Sequence, residues 1–463
     1  MAETKIFSST DINKFAKISN DFSPLHCDSV YARKTMYGEP VVHGILGVLE
    51  CLKNYDKQII SLEVQFLKPM FCDIPYQVSE KEILDGNVKM LKIKAKTTEK
   101  HYDMPSFPEN ISPNLQAKDM NMAEILGKQV FEGVYSVSTD DILCSALLWS
   151  TWFIGMEVPG KQALYSKIEL KLEQEEKKAG KFNYKVSVEE FHEKFNLLRM
   201  RFELYSQNKV FASGALEAFI RPKVLPIIYQ KSALPLKMQN RFSGKTALVT
   251  GASRGFGAAV AQILAAMGAN VYINYQKSTV EALELQKTIK EQGGNAELLQ
   301  SDVSKIVEFD KDIDILVLNA APSALAVTLS LDSSSIDRIQ SYVSTAFSYV
   351  LNPLSTFANS LNKNGGYCLI VSSGYMDSIL PEFPHYLCSK AVIEMLATYA
   401  AKKYNHTKYL IVRPPKMLTD MSNSAAGNVT AENPLEVAEK TCEQLLESKE
   451  GYVQIFSVNL EKE

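Results

Sequence analysis

Two groups of residues in this chain could do chemistry, and the two chemistries follow one another. Near the start, Asp21-Phe-Ser-Pro-Leu-His26 is followed by Val41-Val-His43-Gly44. Far downstream, Thr250-Gly-Ala-Ser-Arg-Gly-Phe-Gly257 is followed by Asn319, Ser373, Tyr386 and Lys390. Asp21 and His26 stand five apart with Pro24 between them, a loop that can turn both side chains into one pocket. There one takes a proton from water while the other serves an α-carbon, or the reverse during dehydration. A helix starting at Gly44 would aim free N–H groups and a positive dipole end at a thioester enolate. The downstream set suits hydride transfer between a nicotinamide and a carbonyl. A 3-hydroxyacyl thioester is the one compound both could share.

The downstream residues divide the labour as that chemistry requires. Gly251 allows a tight turn, Gly255 lets backbone approach cofactor phosphates, and Gly257 allows close helix packing, so that the helix start faces a pyrophosphate. Ser253 and Arg254 lie in the same loop, and Thr419 is grouped with them as cofactor-binding. An unperturbed tyrosine, pKa about 10, is a poor acid or base near neutrality. Lys390, one helical turn after Tyr386, is expected to lower that pKa and to bond the nicotinamide ribose. Ser373 would hold the carbonyl oxygen. The segment Ile273-Asn-Tyr-Gln-Lys277 carries no acid for the ribose hydroxyls of NAD, and Arg254 could meet a 2′-phosphate. NADPH and a reductive direction follow. The plain alternative for Arg254 is a solvated surface arginine.

The elements that must hold these residues fall into three segments, expected at 1–128, 129–228 and 240–463. The first has a helical stretch from Thr10, the Asp21/His26 loop, a helix Ile45 to Lys53, and alternating strand-like runs at Ser61 to Phe66 and Val88 to Ile93. Residues 101–128, with Pro105, Pro108 and Pro113, read as a loop. In the second segment Thr139-Asp-Asp141 caps a buried apolar helix, Ile142 to Gly155. Strands follow at Ala163 to Leu172, Phe182 to Val188, Leu197 to Tyr205 and Lys209 to Phe219. His192 there reads as a packed or surface histidine. Pro222, Pro226 and Pro235 mark a linker. From Lys245 short apolar strands alternate with helices, the pattern of a doubly wound parallel sheet.

Composition narrows the rest. The 463 residues carry 50 basic and 53 acidic side chains, a formal net charge of −3, which gives no reason to propose nucleic acid or an anionic membrane as partner. No run reaches a membrane span. Seven scattered cysteines and a start without an apolar signal core point to a reduced, cytoplasmic protein. The final Asn-Leu-Glu-Lys-Glu is not a peroxisomal address. No metal site is expected.

From about residue 242 onward the chain resembles the short-chain dehydrogenase/reductase family. The motifs that carry the resemblance are Thr250-Gly-x-x-x-Gly-x-Gly257, Ser301-Asp302, Asn319-Ala-Ala321, Ser373, and Tyr386-Leu-Cys-Ser-Lys390. By resemblance Asp302 contacts the adenine, Asn319 lies in the turn below the cofactor, and Ser373, Tyr386 and Lys390 are catalytic. There are departures. Tyr342 stands where the family's relay asparagine would be, and Pro414-Pro415 replaces a Pro-Gly. The glycine-rich ending common to the family is also absent. Only 17 positions separate Asp302 from Asn319, which implies a shortened intervening helix.

The first segment resembles the MaoC-like, (R)-specific enoyl thioester hydratases of the hot-dog fold. The matching string is Phe15-Ala-Lys-Ile-Ser-Asn-Asp21-Phe-Ser-Pro-Leu-His26-Cys-Asp28, then Tyr31-Ala32, Gly38-Glu-Pro-Val-Val-His43-Gly44 and Phe66-Leu-Lys-Pro69. The resemblance implies Asp21 and His26 as the catalytic pair and Gly44 as the thioester-binding turn, with His43 structural. Asn20 stands where the family usually has glycine.

The second segment is expected to be another hot-dog unit without an active site, pairing with the first through their long helices. The fold expected is a double α+β hot-dog followed by an α/β Rossmann domain. The function expected is a ketoreductase–dehydratase of fatty-acid or polyketide-type acyl assembly, acting on a thioester of coenzyme A or of an acyl carrier protein. Family resemblance adds a homo-oligomer. The same parts run backwards would serve acyl degradation. A third alternative is that one domain is inactive and serves as an acyl or carrier docking module.

Overall fold

The computed structural model describes residues 3–53, 55–106, 115–173, 180–223, 227–323, 333, 335–381 and 383–459. Pro108, Pro113 and Pro226 fall outside them. The chain divides near residue 223 into two compact units.

The first unit is one ten-stranded antiparallel sheet wrapped around helices. Its order is Glu3–Ile6, Pro75–Val78, Glu82–Asp85, Val88–His101, Lys57–Phe66, then Ala163–Leu172, Lys209–Ile220, Leu197–Ser206, Lys181–His192 and Val130–Ser136. Read outward from the middle, the halves repeat one plan. This is the double hot-dog arrangement. The halves join along their central strands, with Ser61 opposite Lys171 and Gln65 opposite Lys167. Strand pairing, not helix pairing alone, therefore fuses them.

Local chemistry sets the elements. Ser8 and Asp11 form a reciprocal capping box that starts the helix Ser9–Ser19. Asp141 accepts the Cys144 N–H at 2.7 Å and starts Ile142–Trp152. That second helix is apolar around its circumference and buried from Ile142 to Thr151, as a helix enclosed on every side must be. It runs into a π-helical turn, Phe153–Glu157. Alternation along Lys181–His192 puts Phe182, Tyr184 and Val186 into the core between exposed lysines and asparagine. The stretch expected as loop between 101 and 128 holds a short helix instead, Met122–Lys128, because Asn121 and Glu124 form a second capping box.

The second unit is a seven-stranded parallel sheet in the order Asn295–Gln300, Asn270–Tyr275, Thr246–Val249, Ile315–Leu318, Tyr367–Val371, Lys408–Arg413, Val453–Ser457. Its central strands are buried on both faces, as helix-covered parallel strands are. The order reverses beside Thr246–Val249, which places the crevice of a Rossmann fold at the end of that strand. Between Asp302 and Ile315 there is no helix at all, so the expected shortening is complete. The proline-marked linker is also not free. Tyr229 N–H donates to Gln262 Oε1 at 2.9 Å and its hydroxyl to Glu439 at 2.6 Å, which straps residues 227–239 onto the helices Gly255–Ala266 and Pro434–Leu446. Among the described residues no helix is long and apolar enough to cross a membrane.

Candidate active sites

Asp21 sits just past the end of the first helix. Asn20 closes that helix at φ 58°, a left-handed conformation that glycine and asparagine tolerate, which accounts for the asparagine found there. Asp21 is 1% exposed. Its Oδ1 accepts the Ser23 N–H at 3.1 Å and its Oδ2 accepts the Thr151 hydroxyl at 2.6 Å. Burial raises the carboxyl pKa, against the opposing pull of His26, Thr151 and Ser23.

His26 lies on the short turn Pro24–Cys27. Its Nδ1 meets Val41 O at 2.6 Å, and a carbonyl only accepts, so Nδ1 carries the proton and Nε2 is left as a base. Burial lowers its pKa, which favours the neutral ring. His43 is fully buried and stacks on His26 with centroids 3.9 Å apart. Its Nε2 donates to Asp21 O at 3.0 Å, and burial holds its pKa well down. The structural role expected for His43 is thus a specific one, backing both members of the pair. Asp21, His26 and His43 bring one ligand atom each within 4.8 Å of the others. One nitrogen of each ring is already engaged, Nδ1 of His26 by Val41 O and Nε2 of His43 by Asp21 O.

A cavity of about 140 Å³ opens beside Asp21 and His26. Gly44, at the start of the helix Gly44–Leu52, lines it. A Cβ on Gly44 would come within 2.6 Å of the Phe66 ring, so this backbone stays bare towards the cavity. A third of the lining residues come from the second half of the unit, including Thr151, Ile154, Gly155 and Tyr165. A Cβ on Gly155 would lie 2.4 Å from Asp21 Oδ1. The second half thus supplies groups that touch Asp21, the Thr151 hydroxyl and the bare backbone at Gly155. Thr151 and Gly155 escaped the sequence reading because they lie in an apolar helix read as core. The one available signal was a hydroxyl and a glycine at its end.

In the second unit the glycine loop lies between strand and helix. Gly251 and Gly255 have φ of 61° and 56°. A Cβ on Gly251 would meet Ala320 at 2.9 Å, and one on Gly257 would meet Asn319 Nδ2 at 2.5 Å. Asn319 donates from Nδ2 to the carbonyls of Thr250 and Gly251 at 3.1 and 3.0 Å, tying its turn beneath the loop. The Thr419 methyl is 3.4 Å from where a Gly255 Cβ would stand, so it faces the helix start. Ser253 occupies the loop's turn. Asp302 accepts the Ser304 N–H at 3.0 Å, and despite the opposing effect of burial its bonds to Ser304 hold its pKa down. Bare backbone at a helix start with positive-φ glycines fits a dinucleotide pyrophosphate. Arg254 is ion-paired with Asp420, which the sequence did not foreshadow, while its Nε is buried without a partner.

Ser373, Tyr386 and Lys390 come together at the ends of Tyr367–Val371 and Pro384–Lys403. The Ser373 hydroxyl is near enough to Tyr386 to pull its pKa down, but burial outweighs this and raises it. Lys390 Nζ donates to Val371 O at 3.0 Å and stands 5.5 Å from the centre of the Tyr386 ring. Burial pushes Lys390 down to about 8. Burial, with the neighbouring Tyr375, raises the Tyr386 pKa against the pull of Ser373, so the lowering expected from Lys390 is not found. Tyr342 shares a small cavity with Lys390 and gives its hydroxyl to Pro322 O at 3.4 Å. Glu394, a turn beyond Lys390, is fixed by Arg413 at 2.7 Å and by Ser372, and it partly offsets the burial of the lysine.

Comparison with known proteins agrees with this division. Residues 2–97 match the MaoC like domain and residues 245–429 the short chain dehydrogenase family. The chain is 32% identical over 193 residues to the short chain dehydrogenase mdpC of Emericella nidulans, covering 39% of this chain and 72% of that protein. It is 28% identical over 197 residues to the hydroxynaphthalene reductase-like protein Arp2 of Metarhizium majus, covering 40% and 72%. Among solved structures, angucycline C-6 ketoreductase LanV with bound NADP is similar over 47% of this chain and 96% of its own, at 23% identity and a TM-score of 0.39. The chain belongs to the short chain dehydrogenase family, as an oxidoreductase that carries a MaoC-like domain ahead of its Rossmann domain.

Proposed function

We propose that the protein is a bifunctional ketoreductase–dehydratase. The Rossmann unit reduces a 3-oxoacyl thioester to the (R)-3-hydroxyacyl form with NADPH, and the hot-dog unit removes water to give the trans-2-enoyl thioester. Cytoplasmic acyl assembly on coenzyme A or a carrier protein, by a self-associating enzyme, is the setting this reading takes.

The observation that carries the reading is the meeting of Asp21 and His26 in one largely apolar cavity beside the helix start at Gly44. In dehydration His26 Nε2 takes the α-proton of the 3-hydroxyacyl chain. The charge that develops on the thioester oxygen is met by the backbone at Gly44. The Asp21 carboxyl, its pKa raised, gives a proton to the departing 3-hydroxyl, so that the C–H and C–O bonds break and water leaves. Hydration retraces these steps.

In the reductase NADPH would supply the hydride when bound, held by the loop Gly251 to Gly257 with Asp302, Asn319, Lys390 and Thr419 around it. Ser373 holds the carbonyl oxygen and Tyr386 protonates it. Absence of an acid from Gln276-Lys277 and the presence of Arg254 support the choice of NADPH. A second reading, reduction of a ring ketone with the thioester confined to the hot-dog unit, is favoured by a relative named as hydroxynaphthalene reductase-like.

The test is hydration of crotonyl-coenzyme A by the full chain, followed by loss of enoyl absorbance. An (R)-3-hydroxybutyryl product that disappears in both D21N and H26Q supports the hot-dog assignment. Unchanged turnover in these variants would refute it.

A further inference from the structure

Ser373 sits on a turn whose two ends are held by one ion pair. Glu394 is buried, and its carboxylate accepts from Ser372 Oγ, from Arg413 Nε at 3.0 Å and from Arg413 Nη2 at 2.7 Å. Ser372 directly precedes Ser373. The remaining nitrogen of the fork, Arg413 Nη1, donates to Asp377 Oδ1 at 2.6 Å, and Asp377 closes the short helix Gly374–Met376 that follows Ser373. The second Asp377 oxygen accepts the Ser457 hydroxyl at 3.0 Å. The chain on both sides of Ser373 is thereby fastened to the ends of two further strands, Lys408–Arg413 and Val453–Ser457.

Glu394 also ties in the helix Pro384–Lys403. It follows Tyr386 by two turns and Lys390 by one, so the three share a face. Lys390 Nζ donates to the carbonyl of Val371, the residue before Ser372, at 3.0 Å. Two side chains of one helix face therefore grip the two residues ahead of Ser373. A buried ion pair is a weak source of net stability, so its presence here calls for another reason. Geometry supplies one: a planar guanidinium bound through all three nitrogens fixes direction as well as distance.

We infer that Glu394 and Arg413 are positioning residues of the reductase: together they clamp the Ser373 turn against the helix that carries Tyr386 and Lys390, and Glu394 sets a negative charge one turn from the Lys390 ammonium. They act through Ser373, Tyr386 and Lys390, not on the carbonyl. The inference rests on the proposed reductase reading. The groups around Lys390 are Tyr386 and Glu394 from its own helix, Tyr342 from Ile336–Asn364, and Arg413 and Asp377 behind Glu394. Burial lowers the Lys390 pKa to about 8 and the Glu394 charge acts against it, whereas the Tyr386 pKa is raised. The alkaline limb of the reduction profile therefore belongs to Lys390.

The experiment follows NADPH oxidation by 3-oxobutyryl-coenzyme A across pH, and NADPH binding by its fluorescence, in the full-length protein, in E394Q and in R413K. E394Q removes the charge at nearly constant size, while R413K keeps the charge and loses the fork. The expected result is that both variants bind NADPH nearly as the unmodified protein does and that both lose roughly tenfold or more in kcat. Only E394Q should move the alkaline limb to lower pH, because Lys390 there loses the charge that holds its proton. Retained NADPH binding also shows that the variants fold. Unchanged kcat in both variants, kcat lost together with NADPH binding in both, or an alkaline limb that stays in place in E394Q overturns the inference and leaves the reductase reading standing. If the unmodified protein oxidises no NADPH, the reductase reading falls and takes the inference with it.

Discussion

Thr151 donates its hydroxyl to Asp21 Oδ2 at 2.6 Å, reaching from one half of the hot-dog unit into the site of the other. A hydrogen bond to a charged carboxylate contributes about 1.5–3 kcal/mol. Removing it should therefore cost roughly ten- to a hundredfold in hydratase turnover if the bond is made in the transition state. T151V is expected to lose that much, and T151S to restore most of it. The sign of the pH effect is fixed as well. Thr151 lowers an Asp21 pKa that burial raises, so T151V should move the Asp21 limb of the pH–rate profile upward, which a purely structural role would not do.

Gly155 makes the same point sterically. Its missing Cβ would lie 2.4 Å from Asp21 Oδ1. G155A should displace the carboxylate at a cost of about 1–3 kcal/mol and abolish most hydration, while NADPH-dependent reduction in the other unit is unaffected. Paired assays on one preparation check this. Equal loss of both activities would indicate general misfolding.

Acid should destabilise the hot-dog unit. His26 and His43 have pKa values lowered by burial, against about 6.5 in an unfolded chain. Below that value the unfolded chain binds the extra protons, so their contribution is full above about pH 6.5 and is lost as pH falls towards their folded pKa values. Asp21, raised by burial, acts in the opposite sense above its unfolded value, but it is one group against two. Both tryptophans, Trp149 and Trp152, lie in this unit, so tryptophan fluorescence reports it alone. The denaturant midpoint read that way should drop between pH 7 and pH 5.

Cofactor choice can be tested at Arg254, whose ion pair with Asp420 must loosen for a 2′-phosphate to bind. R254S is expected to lower kcat/KM for NADPH about tenfold or more and to change NADH far less. Equal effects on both cofactors would remove Arg254 from 2′-phosphate recognition.

Much of the architecture was legible because hydrophobic period and punctuation agree. Four strands of the second half and the first strands of the Rossmann unit lie within a few residues of their apolar runs. The clusters Asp21/His26 and Ser373/Tyr386/Lys390 were legible for a different reason: their members are close in sequence or fall at motif spacing. What was hidden depends on long-range contact. Thr151 lies 130 residues from Asp21, and Asp420 lies 166 from Arg254. The raised Tyr386 pKa was hidden too, since a one-turn spacing shows Lys390 nearby but not the enclosure of the phenol. The strap at Tyr229 looked like a linker because its prolines are visible and its partners, Gln262 and Glu439, are not.

The central claim is that the two units act in sequence on one chain. It is tested most directly by incubating the protein with 3-oxobutyryl-coenzyme A and NADPH, following NADPH absorbance and separating products by mass. The account predicts NADPH loss with both 3-hydroxybutyryl and crotonyl thioesters formed, the reduction step lost in Y386F and the crotonyl product lost in D21N. No NADPH oxidation, or accumulation of 3-hydroxybutyryl thioester with no crotonyl product from the unmodified protein, would contradict it.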